Sequence, residues 1–215
     1  MSFDLEAYVP GIFDALPFVS HGSAPWEMIG SLAALVTAAA ARAGVAASRP
    51  GEAVFVHPGA TIEPGAVVKP PIFIADGCFV ASHAYLRGGV LLASGVTVGP
   101  GCEVKSSLVL DRSVLAHFNF VGDSLIGRGV NLEAGAVIAN RWNERADPTI
   151  AVFPEGRRIA LPVTKFGAVI GDAARIGANA VLSPGTLLPP GAVVGRLQLV
   201  DQAKAPGYSV GPAHE

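Results

Sequence analysis

Charge is scarce in this chain. Asp, Glu, Lys and Arg make up 15% of 215 residues and nearly cancel, leaving a net charge of −2. That balance excludes a general attraction to nucleic acid or to an anionic membrane surface. Cysteine is scarcer still: Cys78 and Cys102 alone cannot build a disulfide framework. No two histidines stand at metal-ligand spacing, so no metal is expected. The opening MSFDLEAYVP has acids and no basic n-region, so a secretory leader is not expected either. The longest apolar run, IGSLAALVTAAAARAGVAA, is alanine-rich and broken by Arg42; it reads as a packed helix, not a membrane span. With 51% hydrophobic residues, the expectation is a soluble, cytoplasmic chain with one sizeable core.

Glycine and proline, by contrast, are abundant, which directs attention to repeats. From Val56 the chain reads VHPGAT, IEPGAV, VKPPIF, IADGCF, VASHAY, LRGGVL, LASGVT, VGPGCE. The first position of each hexad is aliphatic: Val56, Ile62, Val68, Ile74, Val80, Leu86, Leu92, Val98. The fourth is glycine except at Pro71 and His83, and the fifth is apolar or small. Neither a helix nor a simple strand has this period. A short strand and a tight corner do. The aliphatic residue points into a narrow interior, and glycine permits the corner. Three such sides make a coil of about 18 residues, and stacked coils make an all-β, parallel β-helix.

The period then varies. After Val104 the inward positions fall at Val109, Leu115, Val121, Ile126, Leu132 and Ile138. Residues 139–163 interrupt it as a loop, and it resumes at Ile170, Ile176, Leu182, Leu188 and Val194. The expected organisation is an N-terminal segment over 1–50, a β-helix over 51–200 and a loose tail over 201–215. Within the first segment, Ser23 as N-cap, Pro25 in the first turn and Gly44 as C-cap predict a helix over about 25–43 that covers the first coil.

Residues one coil apart stack about 4.8 Å from each other. The outward second positions therefore form columns, and one of these, Lys69/Arg87/Lys105, is wholly basic. Either it is a solvated charged face, or an anion such as phosphate or carboxylate lies across it. Columns with Ala75, Ala81 and Ala93 carry few charges and predict a subunit contact in a homotrimer. Cys78 and Cys102 both occupy the small interior slot on different sides, which predicts reduced core residues.

The segment HFNFVGDSLIGRGVN, followed by AN-RW, a loop and GAVIGD, resembles the C-terminal acetyltransferase domain of bifunctional N-acetylglucosamine-1-phosphate uridylyltransferases. It is closer still to archaeal sugar-1-phosphate nucleotidylyltransferases with aminosugar acetyltransferase activity. PWEMIGSLAALV is similar to the linker helix of these enzymes. The resemblance covers roughly 80–200. It implies a left-handed β-helix of the hexapeptide-repeat acyltransferases, acting as a homotrimer with its site between subunits. It implies acetyl-CoA, or another short acyl-CoA, as donor and a phosphorylated or nucleotide-linked amino sugar as acceptor. His117 matches the general base, a task an imidazole suits. Asn140 matches an asparagine that holds the acceptor, and Ala134 the backbone N–H that meets the thioester oxyanion. Lys69, Arg87, Lys105, Phe120 and Asn131 fall among the acceptor-binding positions. Gly177 and Ala178 match part of the CoA groove, with Lys165, Arg157 and Arg158 placed to meet CoA phosphates or merely to solvate the loop.

Some residues depart from that pattern. Phe120 replaces a tyrosine, Glu133 replaces a glycine and becomes a rival base, and Arg145 is the nearest cation to a family lysine. No Gly-rich nucleotide loop occurs in the first fifty residues, so nucleotidyl transfer is not expected. A packed, hydrogen-bonded corner residue is the plain alternative for His117. A non-catalytic sugar-nucleotide binder or scaffold on the same fold is the alternative for the chain.

Overall fold

Short strands that turn every few residues must find partners in the next coil rather than in a neighbouring hairpin. In the computed structural model, which describes residues 3–48 and 51–203, they do so as a three-sided parallel β-helix. One side stacks Val54–Val56, Ile72–Ile74, 90–92, 107–109, Leu125–Ile126, Ala168–Ile170 and Thr186–Leu188. A second stacks Thr61–Ile62, Phe79–Val80, Thr97–Val98, Val114–Leu115, Asn131–Leu132, Arg175–Ile176 and Val193–Val194. The third stacks Val67–Val68, 85–87, 103–105, Phe120–Gly122, Val137–Ile138, Val181–Leu182 and Leu199–Val200.

The inward residues expected from the repeat are in register and buried from Ile74 onward. Each aliphatic side chain withdrawn from water contributes about 1.5–3 kcal/mol, so the column is its own core. The shortened steps have a structural cause. Leu86 lies beside Val104 but Leu92 beside Val109, with the register shift falling at Gly88 and Gly89. Both glycines have positive φ, +72° and +93°, which a Cβ would oppose. The shorter coil then persists: Val98 pairs Leu115, and Val104 pairs Val121. Cys78 and Cys102 are buried free thiols, each donating to a backbone carbonyl, and burial pushes both thiols up from their ordinary range.

The N-terminal segment differs from expectation in three ways. Its helix is two, Pro25–Gly30 and Leu32–Ala43, broken at Ser31, whose hydroxyl donates to the Glu27 carbonyl at 2.7 Å. The N-cap is Ala24 rather than Ser23, its amide donating to the Glu27 carboxylate at 3.0 Å, while Gly44 closes the second helix in the left-handed conformation. The helix also does not cover the first coil. It lies along the first side, across the 72–74, 90–92 and 107–109 strands. The reason is a second apolar stripe. Phe73, Leu91, Leu108, Leu125, Val169 and Leu187 stack in register, point outward from the coil, and are all at most 5% exposed.

This placement overturns the reading of Ala75 and Ala93 as a subunit contact, while Ala81, beside the Ser82 corner, lies away from the N-terminal segment. Ala75 and Ala93 border a cleft lined by Leu16, Phe18 and Ala39 of the N-terminal segment. Arg128 ties that segment to the coil, donating to the carbonyls of Pro10 at 2.9 Å and Gly11 at 3.2 Å while pairing with Asp172. The interruption after Ile138 is an ordered excursion with an antiparallel pair, Ala151–Val152 and Ile159–Ala160, and its own buried Trp142, Ile150 and Leu161. The tail begins anchored, not loose: the Gln202 amide brackets Leu187, bonding both its N–H and its C=O. The rest of the expected tail, 204–215, lies outside the described residues.

Candidate active site

The expected site residues gather at the two edges of the third side. At one corner the residues Pro64, Ser82, Pro100, His117, Ala134, Ala178 and Arg196 stack coil upon coil. His117 is exposed and its side chain has no hydrogen-bond partner among the described residues, so the packed-histidine alternative does not describe it. It sits in register with Ala134, and its carbonyl accepts the Gly135 amide at 2.9 Å.

The backbone amides of this corner point away from the coil, which is why proline is tolerated at Pro64 and Pro100. Where the corner residue is not proline, the amide is a donor in need of an acceptor. The Ser82 amide donates to the carboxylate of Glu63 at 2.7 Å, and the Ala178 amide to the carboxylate of Glu133 at 2.9 Å. In both cases the carboxylate stands one coil earlier, just before the corner. At the same place ahead of His117 and Ala134 stand Gly99 and Ala116, which offer no side-chain oxygen. At Ser82 and Ala178 the backbone amides hold carboxylates, whereas at His117 and Ala134, and at Arg196 on the last coil, the amide has no acceptor among the described residues.

Glu133, the rival base, is committed elsewhere. It pairs with Arg196 at 2.9 Å and accepts the Ala178 amide. The Arg196 guanidinium and then that amide hold its carboxyl below the usual carboxylate range. A carboxylate so stabilised is a weak proton acceptor at neutral pH. The Ala178 amide, in turn, carries a ligand from within the chain.

At the opposite edge of the third side stands the basic column, stacked as expected: Arg87 lies beside Lys105, and the Lys69 amide reaches the Leu86 carbonyl. Its cations are not left to repel each other. Arg87 pairs with Glu103 at 2.6 Å, Lys105 with Asp123 at 2.6 Å, and Lys69 and Arg87 lie over the Tyr85 ring at 5.1 and 5.6 Å. Glu103, Asp123 and Tyr85 are the residues that column arithmetic overlooks. They lie one coil later or on the neighbouring outward column, a relation readable in the sequence once the coil length is known. Asn140 joins this edge, its amide donating to Asp123. Phe120 closes on the same spot: a Cβ at Gly122 would stand 2.8 Å from its ring and 2.9 Å from the Asn140 amide.

The remaining expectations scatter. Asn131 lies on the second side, between Val114 and Arg175. Gly177 and Ala178 belong to the His117 corner, but Lys165 belongs to the Asn140 edge, since the next residue, Phe166, donates its amide to the Asn140 carbonyl at 2.9 Å. The donor-site residues are thus not one cluster within a single chain. Arg145 stacks on Trp142 at 3.1 Å and pairs with Asp201 at 2.8 Å, which removes it from the acceptor.

No family model matches the chain. It is 40% identical over 101 residues to a bifunctional sugar-1-phosphate nucleotidylyltransferase/acetyltransferase of Sulfurisphaera tokodaii, covering 44% of this chain and 24% of that protein. It is 32% identical over 100 residues to the bifunctional protein GlmU of Methanococcus vannielii, covering 46% of this chain and 23% of that protein. Among solved structures, LpxA, a UDP-N-acetylglucosamine acyltransferase from Bacteroides fragilis, aligns over 68% of this chain and 60% of that one, with a TM-score of 0.41 and 13% identity. The chain spans about a quarter of the length of the curated relatives it matches. Over just under half of its own residues, its relatives are bifunctional nucleotidylyltransferase/acetyltransferases and GlmU proteins.

Proposed function

We propose that the protein transfers an acetyl, or another short acyl, group from CoA to the amine of a phosphorylated or nucleotide-linked amino sugar. The observation that carries this reading is the corner where exposed His117 stacks on Ala134 and both amides lack an acceptor among the described residues. The sugar nitrogen attacks the thioester carbonyl as His117 takes its proton. The carbonyl oxygen becomes an oxyanion and receives the Ala134 N–H, as carboxylate oxygens are received at Ser82 and Ala178. Collapse forms the amide and expels CoA thiolate, which takes the proton from the imidazolium. Within one coil five residues run from this corner to the cationic column, at most about 18 Å. An amino sugar laid along the third side would present its amine to His117 and its phosphate to Lys69, Arg87 and Lys105, above Phe120 and within reach of Asn140. Asn131, on the adjoining side, would serve an acceptor overhanging the corner. Gly177 and Ala178 would border the donor, with Glu133 releasing the Ala178 amide when CoA enters.

Coenzyme A released as free thiol, with amino sugars offered bare and phosphorylated, tests the reaction. Arg87→Ala should weaken the phosphorylated acceptor by about 1.5–3 kcal/mol and barely affect the bare one. Equal losses would remove the phosphate from that column. No thiol release with acceptor binding intact would favour a non-catalytic binder.

The same reading includes a homotrimer, now through the third side rather than the alanine columns. Val67, Val181 and Leu199 are 45%, 37% and 55% exposed, and share one outward column with Tyr85, Phe120, Val137 and a single charged member, Glu103, which pairs with Arg87. Phe118, beside His117, is 70% exposed. Another copy packed there would bury this stripe and exclude water from the His117 corner. Sedimentation at micromolar concentration should give three times the chain mass; a stable monomer overturns the shared site.

A further inference from the structure

The excursion after Asn140 borders an open cleft of about 470 Å³, within the size range of small-molecule sites. Every charged side chain lining it is a cation, Arg141 or Lys165. Neither has an ion-pair partner among the described residues, whereas Arg145 of the same excursion is paired with Asp201. None of the acids of that stretch, Glu144, Asp147 or Glu155, lines the cleft; Glu144 accepts the Asn143 amide, and Asp147 accepts the amide of the lining residue Thr149. Thr164 lies in the lining beside Lys165, and Pro148, Pro162, Val163 and the exposed edges of the largely buried Trp142 and Leu161 make an apolar wall, with Arg145 covering the Trp142 ring. The cleft adjoins the Asn140 edge, because Arg141 follows Asn140 directly and Lys165 precedes the residue bonded to its carbonyl.

We propose that this cleft binds a phosphorylated nucleoside, the base against the Trp142 and Leu161 wall and phosphate oxygens on Arg141 and Lys165. A bare anion would use the two cations but leave the apolar wall wet. An uncharged ring would leave two cations without a partner in a site whose lining holds no acid. The proposal deepens the acyl-transfer reading and rests on it only for where such a nucleotide comes from: the nucleotide end of CoA or that of a nucleotide-linked acceptor.

Calorimetry on the full chain at low salt, with adenosine 3′,5′-bisphosphate and with uridine diphosphate, separates these sources. One of the two should bind, the first pointing to CoA and the second to the acceptor. Both cations are exposed, so Arg141→Ala and Lys165→Ala should fold as the parent does, and each should weaken binding about tenfold. Absence of binding by both nucleotides, affinity unchanged in the double variant, or inorganic phosphate binding as tightly as the nucleotide would each overturn the proposal. Thiol release that still depends on His117 would then leave acyl transfer standing. Nucleotide binding that needs Arg141 and Lys165, without thiol release, would keep the cleft and remove the reaction.

Discussion

Replacing His117 with alanine is expected to slow acyl transfer by about 10²–10⁴, the usual contribution of a positioned general base. That is about 3–5 kcal/mol of barrier. The fold should be untouched, because the side chain is exposed and unbonded while the buried Leu115 and Val121 on either side keep the coil in register. Melting temperature and sedimentation should match the parent. Donor affinity should barely change, since the imidazole acts on the amine. Glu133→Gln is the informative companion. The Glu133 carboxylate is held by Arg196 and the Ala178 amide and is a poor base, so its amide variant should retain the rate within a factor of about three. If His117→Ala stays within that factor and Glu133→Gln abolishes transfer, the base is Glu133 and the corner chemistry is wrong. If neither affects the rate, proton removal is left to solvent.

How much of this was legible in the sequence depends on how local the constraint is. The inward column was legible almost residue by residue, because a narrow prism tolerates only aliphatic side chains at one position in each side. The five-residue steps read after Val104 are the shorter coils, and the two glycines at the shift mark where the change begins. His117 and Ala134 could be placed on one corner by counting coils. The counter-charges could not, since a count of columns says which side chains stack but not that Glu103 and Asp123 bend across to Arg87 and Lys105. That changes what the basic column means. Its stacking no longer requires a ligand for its stability, so a phosphate there must compete with two carboxylates already in place.

The course of the N-terminal helices was the least legible element, because it is set by residues that the repeat classes as outward. Phe73, Leu91 and Leu108 have no place in an inward-residue pattern, yet their apolar character at successive coils states that this side is covered. Ala75 and Ala93, which carry no charge either, only border the cleft beside the N-terminal segment.

Leu108→Asp separates these two views of an outward position. If the repeat alone decided burial, the side chain would project into water, and a surface change of this kind shifts stability by no more than about 0.5 kcal/mol. In the structure Leu108 is fully buried between Leu91 and Leu125, beneath the N-terminal helices. Removing its methyl groups costs about 2–5 kcal/mol by cavity formation alone. A carboxylate left there without a partner adds the penalty of a buried charge. Against a total stability of about 5–15 kcal/mol, the aspartate variant should fail to fold or should shed the N-terminal segment, seen as early proteolysis within residues 3–44. Leu108→Ala keeps the test quantitative, with a loss of about 2–5 kcal/mol expected in denaturant unfolding. Val181→Ala, on the exposed third side, should leave the isolated coil's stability within about 0.5 kcal/mol and instead weaken association. A fully stable Leu108→Asp chain would mean that the N-terminal helices do not rest on this side, and with them would go the assignment of the third side as the face open to a second copy.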